Sequence, residues 1–161
     1  MRPIEVTRAI VVSVIGWTIM VWLQPLLYSS RRSPLYLDSV SDISGWIAEY
    51  YRVGLWLVLV SSTLATIIWL ITTSTITPPG GTVNVQQWRL TWFLLMLVPI
   101  SGTGVAISYF LGGVDAVFSL TSFYVLDILL LYWLPTVIST PSFYRYVPPG
   151  GLLIRQMGLF D

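Results

Sequence analysis

The sequence contains no cysteine and no histidine, and each absence excludes a class of chemistry. Without cysteine the chain can form no disulfide, thiolate nucleophile or sulfur–metal bond. Without histidine it lacks the commonest general base, the commonest metal ligand and the usual axial ligand of haem. Together these absences exclude most hydrolytic and redox chemistry. We therefore expect a protein that is not an enzyme and has no catalytic residue, no metal site and no dedicated cofactor.

Charged residues are also scarce. They make up 9% of the 161 residues, whereas a soluble domain usually carries about 25%. Hydrophobic residues account for 55% of the chain, and the mean hydropathy is +0.79. A surface this poor in charge cannot face water over most of its area, so the lipid bilayer is the first predicted partner. The net charge of +1 argues against a nucleic-acid partner, which requires a clustered basic face.

Lysine is absent too, so all eight basic residues are arginine. The planar guanidinium group suits bidentate contacts with phosphate or carboxylate, although a compositional bias of the host would give the same count. Several arginines flank the apolar segments, and we interpret them and two neighbouring side chains as candidate contacts with lipid headgroups or a partner. These candidates are Arg31, Arg32, Trp46, Glu49, Arg52, Arg145 and Arg155.

Four apolar segments are long enough to cross a bilayer core, which takes about 20 residues. They cover about residues 9–27, 54–73, 89–111 and 116–134. Amphipathic indole rings favour the membrane interface, and five tryptophans lie near the predicted ends: Trp56, Trp69, Trp88, Trp92 and Trp133. The sequence predicts an all-α polytopic membrane protein, in which residues 1–161 form a single domain of four transmembrane helices.

Turn signals predict how the four segments connect. Gly112-Gly113-Val114-Asp115 is a tight turn that would join the last two segments as an antiparallel hairpin. Pro-Pro-Gly-Gly occurs at 78–81 and again at 148–151, after the second and fourth segments. This repetition predicts two hairpins, related either by duplication or by a shared use of proline and glycine to end a helix. An apolar surface tail at 139–161 is expected to lie on the membrane or dock on another protein.

The loop between the first two segments contains a further helix signal. Ser39-Val40-Ser41-Asp42 matches a capping box that would open a helix. The apolar residues that follow recur at helical spacing on one face, with charged residues on another. This pattern predicts an interfacial amphipathic helix over about residues 41–52. The alternative is that the stretch lengthens the second span above the membrane.

The distribution of arginine predicts the orientation. The first group, next to the termini, is Arg2, Arg8, Arg89, Arg145 and Arg155, and the second, on the opposite side, is Arg31, Arg32 and Arg52. By the positive-inside rule, both termini are expected on the cytoplasmic side, or on the stromal side in an organelle. We expect an integral protein of a cell inner membrane or of an energy-transducing membrane such as the thylakoid.

The midpoints of the four segments carry polar side chains at similar depth. This intramembrane polar cluster comprises Thr18, Ser61, Ser62, Thr63, Thr66, Ser101, Thr103 and Asp127. Pro99 and Gly102 predict a break in the third helix, where Pro99 lacks an N–H and frees the carbonyl of Leu95. A carboxylate at the bilayer centre costs about 2.5–3.5 kcal/mol, so we expect Asp127 to be protonated. It would then donate to Leu95 and accept from a nearby hydroxyl.

Three roles for Asp127 are open on this pattern: a structural link between helices, an ion or proton site, or a contact with a partner subunit. The structural role favours a non-catalytic accessory or scaffold subunit of a larger membrane complex, in a photosynthetic or respiratory setting. Its aromatic faces could pack on lipid, pigment or quinone. The alternative is a small oligomeric ion- or proton-coupled transporter or channel centred on Asp127, with a helix break that resembles those of transporters.

Overall fold

Four helices long and apolar enough to cross a membrane dominate the computed structural model. It describes residues 3–30, 41–75, 85–110, 117–140 and 147–156. Throughout those ranges all regular structure is helical and there is no strand. We call the long helices the first to fourth helix; they are Ile4–Ser29, Ile43–Thr75, Trp88–Ser108 and Val117–Ser139. The prediction of an all-α chain with four potential spans is confirmed.

Each long helix except the third contains one turn of π-helix. The α-helical segments are Pro3–Thr18, Gln24–Ser29, Ile43–Trp46, Arg52–Thr75, Val85–Phe110, Val117–Ile128, Leu134–Ser139 and Gly151–Gln156. The π turns are Ile19–Leu23, Ile47–Tyr51 and Leu129–Trp133. A π turn adds one residue to the helical circuit, and such turns are frequent at functional sites.

The second helix begins earlier than the apolar pattern indicates. Asp42 has extended backbone angles and is its N-cap, and its side chain accepts from the backbone N–H of Gly45 at 3.0 Å. The hydroxyl of Ser44 donates to the same carboxylate at 2.7 Å. These two hydrogen bonds, the Gly45 one first, hold the pKa of Asp42 below its usual value. The N-cap is thus Asp42, not Ser39, which lies outside the described residues. The helix then runs without interruption into the second span, so a separate interfacial helix is not confirmed.

A proline after the first π turn leaves backbone carbonyls without a donor. Pro25 follows Ile19–Leu23 after one residue, and it has no N–H to donate to the preceding turn. In a membrane such carbonyls must find another partner inside the protein. The hydroxyl of Tyr51, on the second helix, lies 2.6 Å from the carbonyl oxygen of Met20 and can donate to it.

The fourth helix repeats this arrangement. Pro135 follows the π turn Leu129–Trp133 after one residue and again removes a donor. The hydroxyl of Thr66 donates to the carbonyl oxygen of Leu131 at 2.6 Å. The second helix therefore supplies a hydroxyl to a proline-freed turn in both the first and the fourth helix.

The second helix packs most extensively on the third, and the first packs on the C-terminal part of the fourth. The two hairpins predicted from the turn signals are not confirmed. The predicted break in the third helix is wrong, because Pro99 lies inside the continuous helix Val85–Phe110. Membrane helices tolerate an internal proline when neighbours satisfy the freed backbone group.

Close approach of the second and third helices depends on Gly102. A Cβ atom there would lie 2.6 Å from the Oγ atom of Ser61 and 3.3 Å from the carbonyl oxygen of Leu57. A Cβ atom at Gly104 would meet nothing within 4 Å. Small residues at such a contact let membrane helices approach closely.

These two glycines are a matched pair for mutation. We expect Gly102→Ala to lower the free energy of unfolding by about 1–3 kcal/mol through overpacking. Gly104→Ala should raise it by about 0.5–1 kcal/mol, because alanine loses less backbone entropy in a helix. Unfolding of the purified protein in mixed micelles, followed by circular dichroism, measures both. Equal effects at the two positions would contradict the close packing at Gly102.

The described part of the predicted tail packs on the chain itself. The indole N–H of Trp133 donates to the carbonyl oxygen of Pro149 at 2.9 Å. Gly150 has a φ of 82°, which favours glycine, and the side chain of Val147 is buried. Residues 147–156 therefore cover the end of the fourth helix; the rest of the tail beyond residue 140 lies outside the described residues.

Candidate functional site

Asp127 lies near the middle of the fourth helix, and its side chain is 0% exposed. The amide Nε2 of Gln24, on the first helix, donates to Asp127 Oδ1 at 2.6 Å. No described group is within hydrogen-bonding distance of Asp127 Oδ2. The predicted partners of Asp127 on the third helix are wrong, because the acid faces the first helix instead. Gln24 is the residue that sequence reasoning missed.

Gln24 connects Asp127 to Tyr51. Its side chain is 1% exposed, and its Oε1 accepts from the Tyr51 hydroxyl at 2.6 Å. The same hydroxyl lies 2.6 Å from the carbonyl oxygen of Met20. A line of polar groups therefore runs from the fourth helix through the first to the second. We call Asp127, Gln24 and Tyr51 the buried triad.

Tyrosine rings surround the buried triad. The Tyr124 hydroxyl donates to the carbonyl oxygen of Tyr51 at 3.1 Å, and the two rings stack with centroids 6.3 Å apart. Tyr28 packs edge-on against Tyr51 at 5.4 Å, and its hydroxyl is hydrogen-bonded to Ser119 at 2.8 Å. Tyr28, Tyr51 and Tyr124 are all 0% exposed, and each lies close enough to Asp127 to experience its charge.

The first two helices place the predicted hydroxyls away from Asp127. Thr18 is exposed and donates to the carbonyl oxygen of Val14 in its own helix, so it is not part of a cluster. Thr63 accepts from the indole N–H of Trp17 at 3.2 Å. Thr66 donates to the carbonyl oxygen of Leu131 in the fourth helix. Equal depth along the helices therefore did not bring these side chains together.

The remaining predicted hydroxyls belong to the second and third helices. Ser61 donates to Val58 in its own helix and packs on Gly102, while Ser101 is exposed. Ser62 and Thr103 are buried, and their hydroxyl oxygens have no hydrogen-bond partner among the described residues. None of these four hydroxyls is hydrogen-bonded to Asp127.

The predicted interface residues divide into exposed and buried ones. Glu49 and Arg52 are exposed near the start of the second helix. Trp46 is 6% exposed and packs edge-on against Tyr28, with centroids 4.8 Å apart, so it belongs to the core instead. Arg155 lies in the short helix Gly151–Gln156. Arg31, Arg32 and Arg145 lie outside the described residues.

Two tryptophans expected at the interface lie in the core at the other end of the bundle. Trp69 is 0% exposed and donates to Thr140 Oγ1 at 2.9 Å. Trp92 is 2% exposed, donates to Thr136 Oγ1 at 3.0 Å and stacks on the Tyr132 ring. The Tyr132 hydroxyl in turn donates to the carbonyl oxygen of Trp92 at 2.6 Å. Indole donors therefore fix the C-terminal half of the fourth helix to its neighbours.

The buried triad can hold or release one proton, since it contains one carboxyl group, one amide and one phenol. Within the described ranges no three acidic side chains gather as metal ligands would. The sequence alone could have identified Gln24, because it is the single amide side chain inside the four predicted spans. Polar residues within a membrane are usually functional or paired with another polar group. No family model, curated protein or solved structure matches the chain.

Proposed function

We propose that the chain is a non-catalytic accessory or scaffold subunit of a larger membrane complex, in a photosynthetic or respiratory setting. The polar side chains of the core support this role, because most of them link one helix to another. Gln24 reaches Asp127, Thr66 reaches Leu131 and Trp92 reaches Thr136. Such contacts make a rigid element for neighbours to pack against.

The main support for an accessory-subunit role is that the four helices are buried to different extents within the chain. In the most apolar 18-residue stretches, 17% of the residues are buried in the first helix and 22% in the third. The corresponding shares are 44% in the second helix and 39% in the fourth. The first and third helices thus leave wide apolar faces uncovered, on which other membrane subunits, a second copy of the chain, lipid, pigment or quinone can pack.

The proposed topology follows from four crossings and from the arginine distribution. Both termini lie on the cytoplasmic or stromal side, which has five arginines against three. The start of the second helix, with exposed Glu49 and Arg52, then lies at the opposite interface. The membrane proposed is a cell inner membrane or an energy-transducing membrane such as the thylakoid.

The proposal is tested at Trp22, which is 75% exposed on the first helix. We expect the wild-type protein, solubilised in mild detergent, to migrate on native gels with stoichiometric partner subunits. Trp22→Ala should weaken this co-migration by removing a large aromatic contact, while the unfolding free energy of the isolated chain changes by about 0.5 kcal/mol or less.

The matched control is Trp56→Ala, on the more deeply packed second helix, where Trp56 is 58% exposed. This variant should co-migrate as the wild type does. Migration of the wild-type chain alone, at every detergent concentration that preserves its fold, would exclude an accessory-subunit role. Equal loss in both variants would exclude the first helix as the specific docking face.

A second candidate is a small oligomeric ion- or proton-coupled transporter or channel centred on Asp127. The observation that favours it is the buried Asp127 Oδ2, which no described group contacts, beside two helices that contain π turns. This candidate requires that Asp127→Asn abolish flux into proteoliposomes while the fold is retained.

A further inference from the structure

The Tyr51 hydroxyl of the buried triad lies within hydrogen-bonding distance of one more acceptor than its single hydrogen can satisfy. The Tyr51 hydroxyl has a single hydrogen, yet it lies 2.6 Å from both Gln24 Oε1 and the Met20 carbonyl oxygen. When it donates to Gln24, the carbonyl of Met20 loses its donor. When it donates to Met20, the Oε1 atom of Gln24 loses its donor.

The amide orientation in the structure suits an ionised Asp127. Gln24 Nε2 donates to Oδ1, as it would to a carboxylate. If a proton instead added to Oδ2, that O–H would have no acceptor among the described groups. If it added to Oδ1, the new O–H would face the N–H of Gln24. In this orientation of the amide, a neutral Asp127 therefore has no acceptor for its O–H among the described groups.

A half-turn of the Gln24 amide removes both conflicts. The half-turn exchanges Oε1 and Nε2, which are nearly equal in size. A protonated Oδ1 of Asp127 can then donate to Oε1, and Nε2 can donate to the Tyr51 oxygen. The Tyr51 hydrogen is then directed to the carbonyl of Met20, so the carboxyl, the amide and the hydroxyl each donate to one acceptor.

We propose that Asp127 is a reversible proton-binding site, and that the Gln24 amide and the Tyr51 hydroxyl transmit its occupancy to the Met20 carbonyl. A proton from the aqueous phase adds to Oδ1 and forms the O–H bond, while the Nε2–H···Oδ1 hydrogen bond breaks. The amide turns, and Tyr51 transfers its hydrogen bond from Gln24 to Met20. Release of the proton reverses each change.

The consequence lies in the backbone of the first helix. Met20 belongs to the π turn whose carbonyls lose a donor to Pro25, so the Tyr51 hydrogen bond replaces one that the helix itself cannot make. Protonation moves the Tyr51 donor from the Gln24 side chain to the Met20 backbone, both on the first helix, and deprotonation moves it back. The site therefore couples the charge on the fourth helix to the backbone hydrogen bonding of the first, whether or not the protein transports anything.

The groups that face Asp127 are neutral phenols from three helical segments. Tyr28 belongs to the first helix, Tyr51 to the second and Tyr124 to the fourth, one turn before Asp127. Arg89 is the one charged group among the described side chains of the third helix, and it is exposed. It lies about one turn before Trp92, whose carbonyl oxygen accepts from the Tyr132 hydroxyl. Arg52, which follows Tyr51 on the second helix, is exposed as well, so neither arginine is buried beside Asp127.

Infrared spectroscopy of the purified full-length protein in lipid vesicles tests the proposal. The chain has four methionines, and carbonyl-¹³C methionine labels their backbone groups; the Met20 band is assigned by its loss in Met20→Leu. The pH is varied from about 4 to about 10, the interval between the reference values of free aspartate and tyrosine. We expect the C=O band of a protonated acid to disappear as the pH rises. The Met20 carbonyl band should move to higher frequency with the same midpoint.

Two conservative variants provide the controls. Asp127→Asn should lose both the acid band and the Met20 shift. Tyr51→Phe should keep a titrating acid band and lose the Met20 shift. The proposal is overturned if the Asp127 band does not titrate, if the Met20 band is independent of pH in the wild type, or if its shift survives in Tyr51→Phe. If a variant fails to fold, the wild type alone still tests the proposal, which requires that the acid band and the Met20 band change with the same pH midpoint. Co-migration on native gels tests the accessory-subunit function separately, so a negative result on the gels would not affect the infrared test of the proton-binding site.

Discussion

Alanine in place of Trp92 is expected to lower the free energy of unfolding by about 3–5 kcal/mol, the usual cost of truncating a buried tryptophan. Trp92 is 2% exposed, and its ring stacks on Tyr132 with centroids 5.2 Å apart. The substitution also removes the indole N–H that donates to Thr136 at 3.0 Å. A cavity would then adjoin the π turn Leu129–Trp133, and the Thr136 hydroxyl would keep only its own donation to the carbonyl oxygen of Trp133. Unfolding by dodecyl sulfate in mixed micelles, followed by circular dichroism, measures the loss.

The adjacent residue provides the control. Phe93 is 45% exposed, and its ring packs edge-on against Trp92 with centroids 5.2 Å apart. Phe93→Ala removes a comparable aromatic ring but leaves the Trp92 contacts with the fourth helix, so it should lower the free energy of unfolding by only about 0.5–1.5 kcal/mol, the usual value of an aromatic pair. If the two variants lose similar stability, Trp92 does not anchor the third helix to the fourth.

The four helices could be predicted because lipid leaves the backbone few alternatives. A polar backbone group without a partner is costly in hydrocarbon, so a long apolar run must be helical. The predicted ends were less accurate, since apolarity marks the hydrocarbon core and not the end of the helix. The second predicted span began at residue 54, whereas the helix begins at Ile43 behind the Asp42 N-cap. Local capping chemistry, which a window of hydropathy averages away, determines that boundary.

The contacts of Asp127 could not be predicted because they depend on helix rotation. Grouping the polar residues at the midpoints of the four segments compares only their depth in the membrane. Two side chains at the same depth meet only when both helices are rotated so that the side chains point inward. A π turn adds one residue, which shifts the following side chains by about 100° from their α-helical positions. Gln24 comes directly after such a turn and faces inward, whereas Leu23 is 46% exposed. Nothing in a 3.6-residue period indicates that shift.

The same geometry explains why the buried acid does not need the third helix. Pro99 was expected to free a carbonyl for Asp127, but the carbonyls that receive hydroxyl donors from the second helix lie in the proline-flanked π turns of the first and fourth helices. In both cases a proline follows a π turn after one residue, in IMVWLQP and LLLYWLP. The recurring unit of this fold is therefore a π turn, one residue and a proline.

Leucine in place of Asp127 is expected to change membrane insertion and folded stability in opposite directions. An acid at the centre of a span opposes insertion by about 2.5–3.5 kcal/mol, so Asp127→Leu should insert more efficiently. In the folded bundle the same change leaves Gln24 Nε2 without an acceptor at a fully buried site. A buried donor without a partner costs about 1–3 kcal/mol, so the free energy of unfolding should fall by that amount. Glycosylation-tag insertion assays and micelle unfolding measure the two quantities separately.

Asp127→Asn separates the roles that remain for the carboxyl group. Asparagine keeps an oxygen that can accept from Gln24, so the unfolding free energy should stay within about 1 kcal/mol of the wild type. With an accessory-subunit function, this variant assembles with its partners as the wild type does, whereas Asp127→Leu loses association along with stability. With a transport function, Asp127→Asn folds normally and flux into proteoliposomes disappears. If leucine is as stable as the wild type, the hydrogen bond from Gln24 does not hold the first helix to the fourth, and the structural role of the acid is excluded.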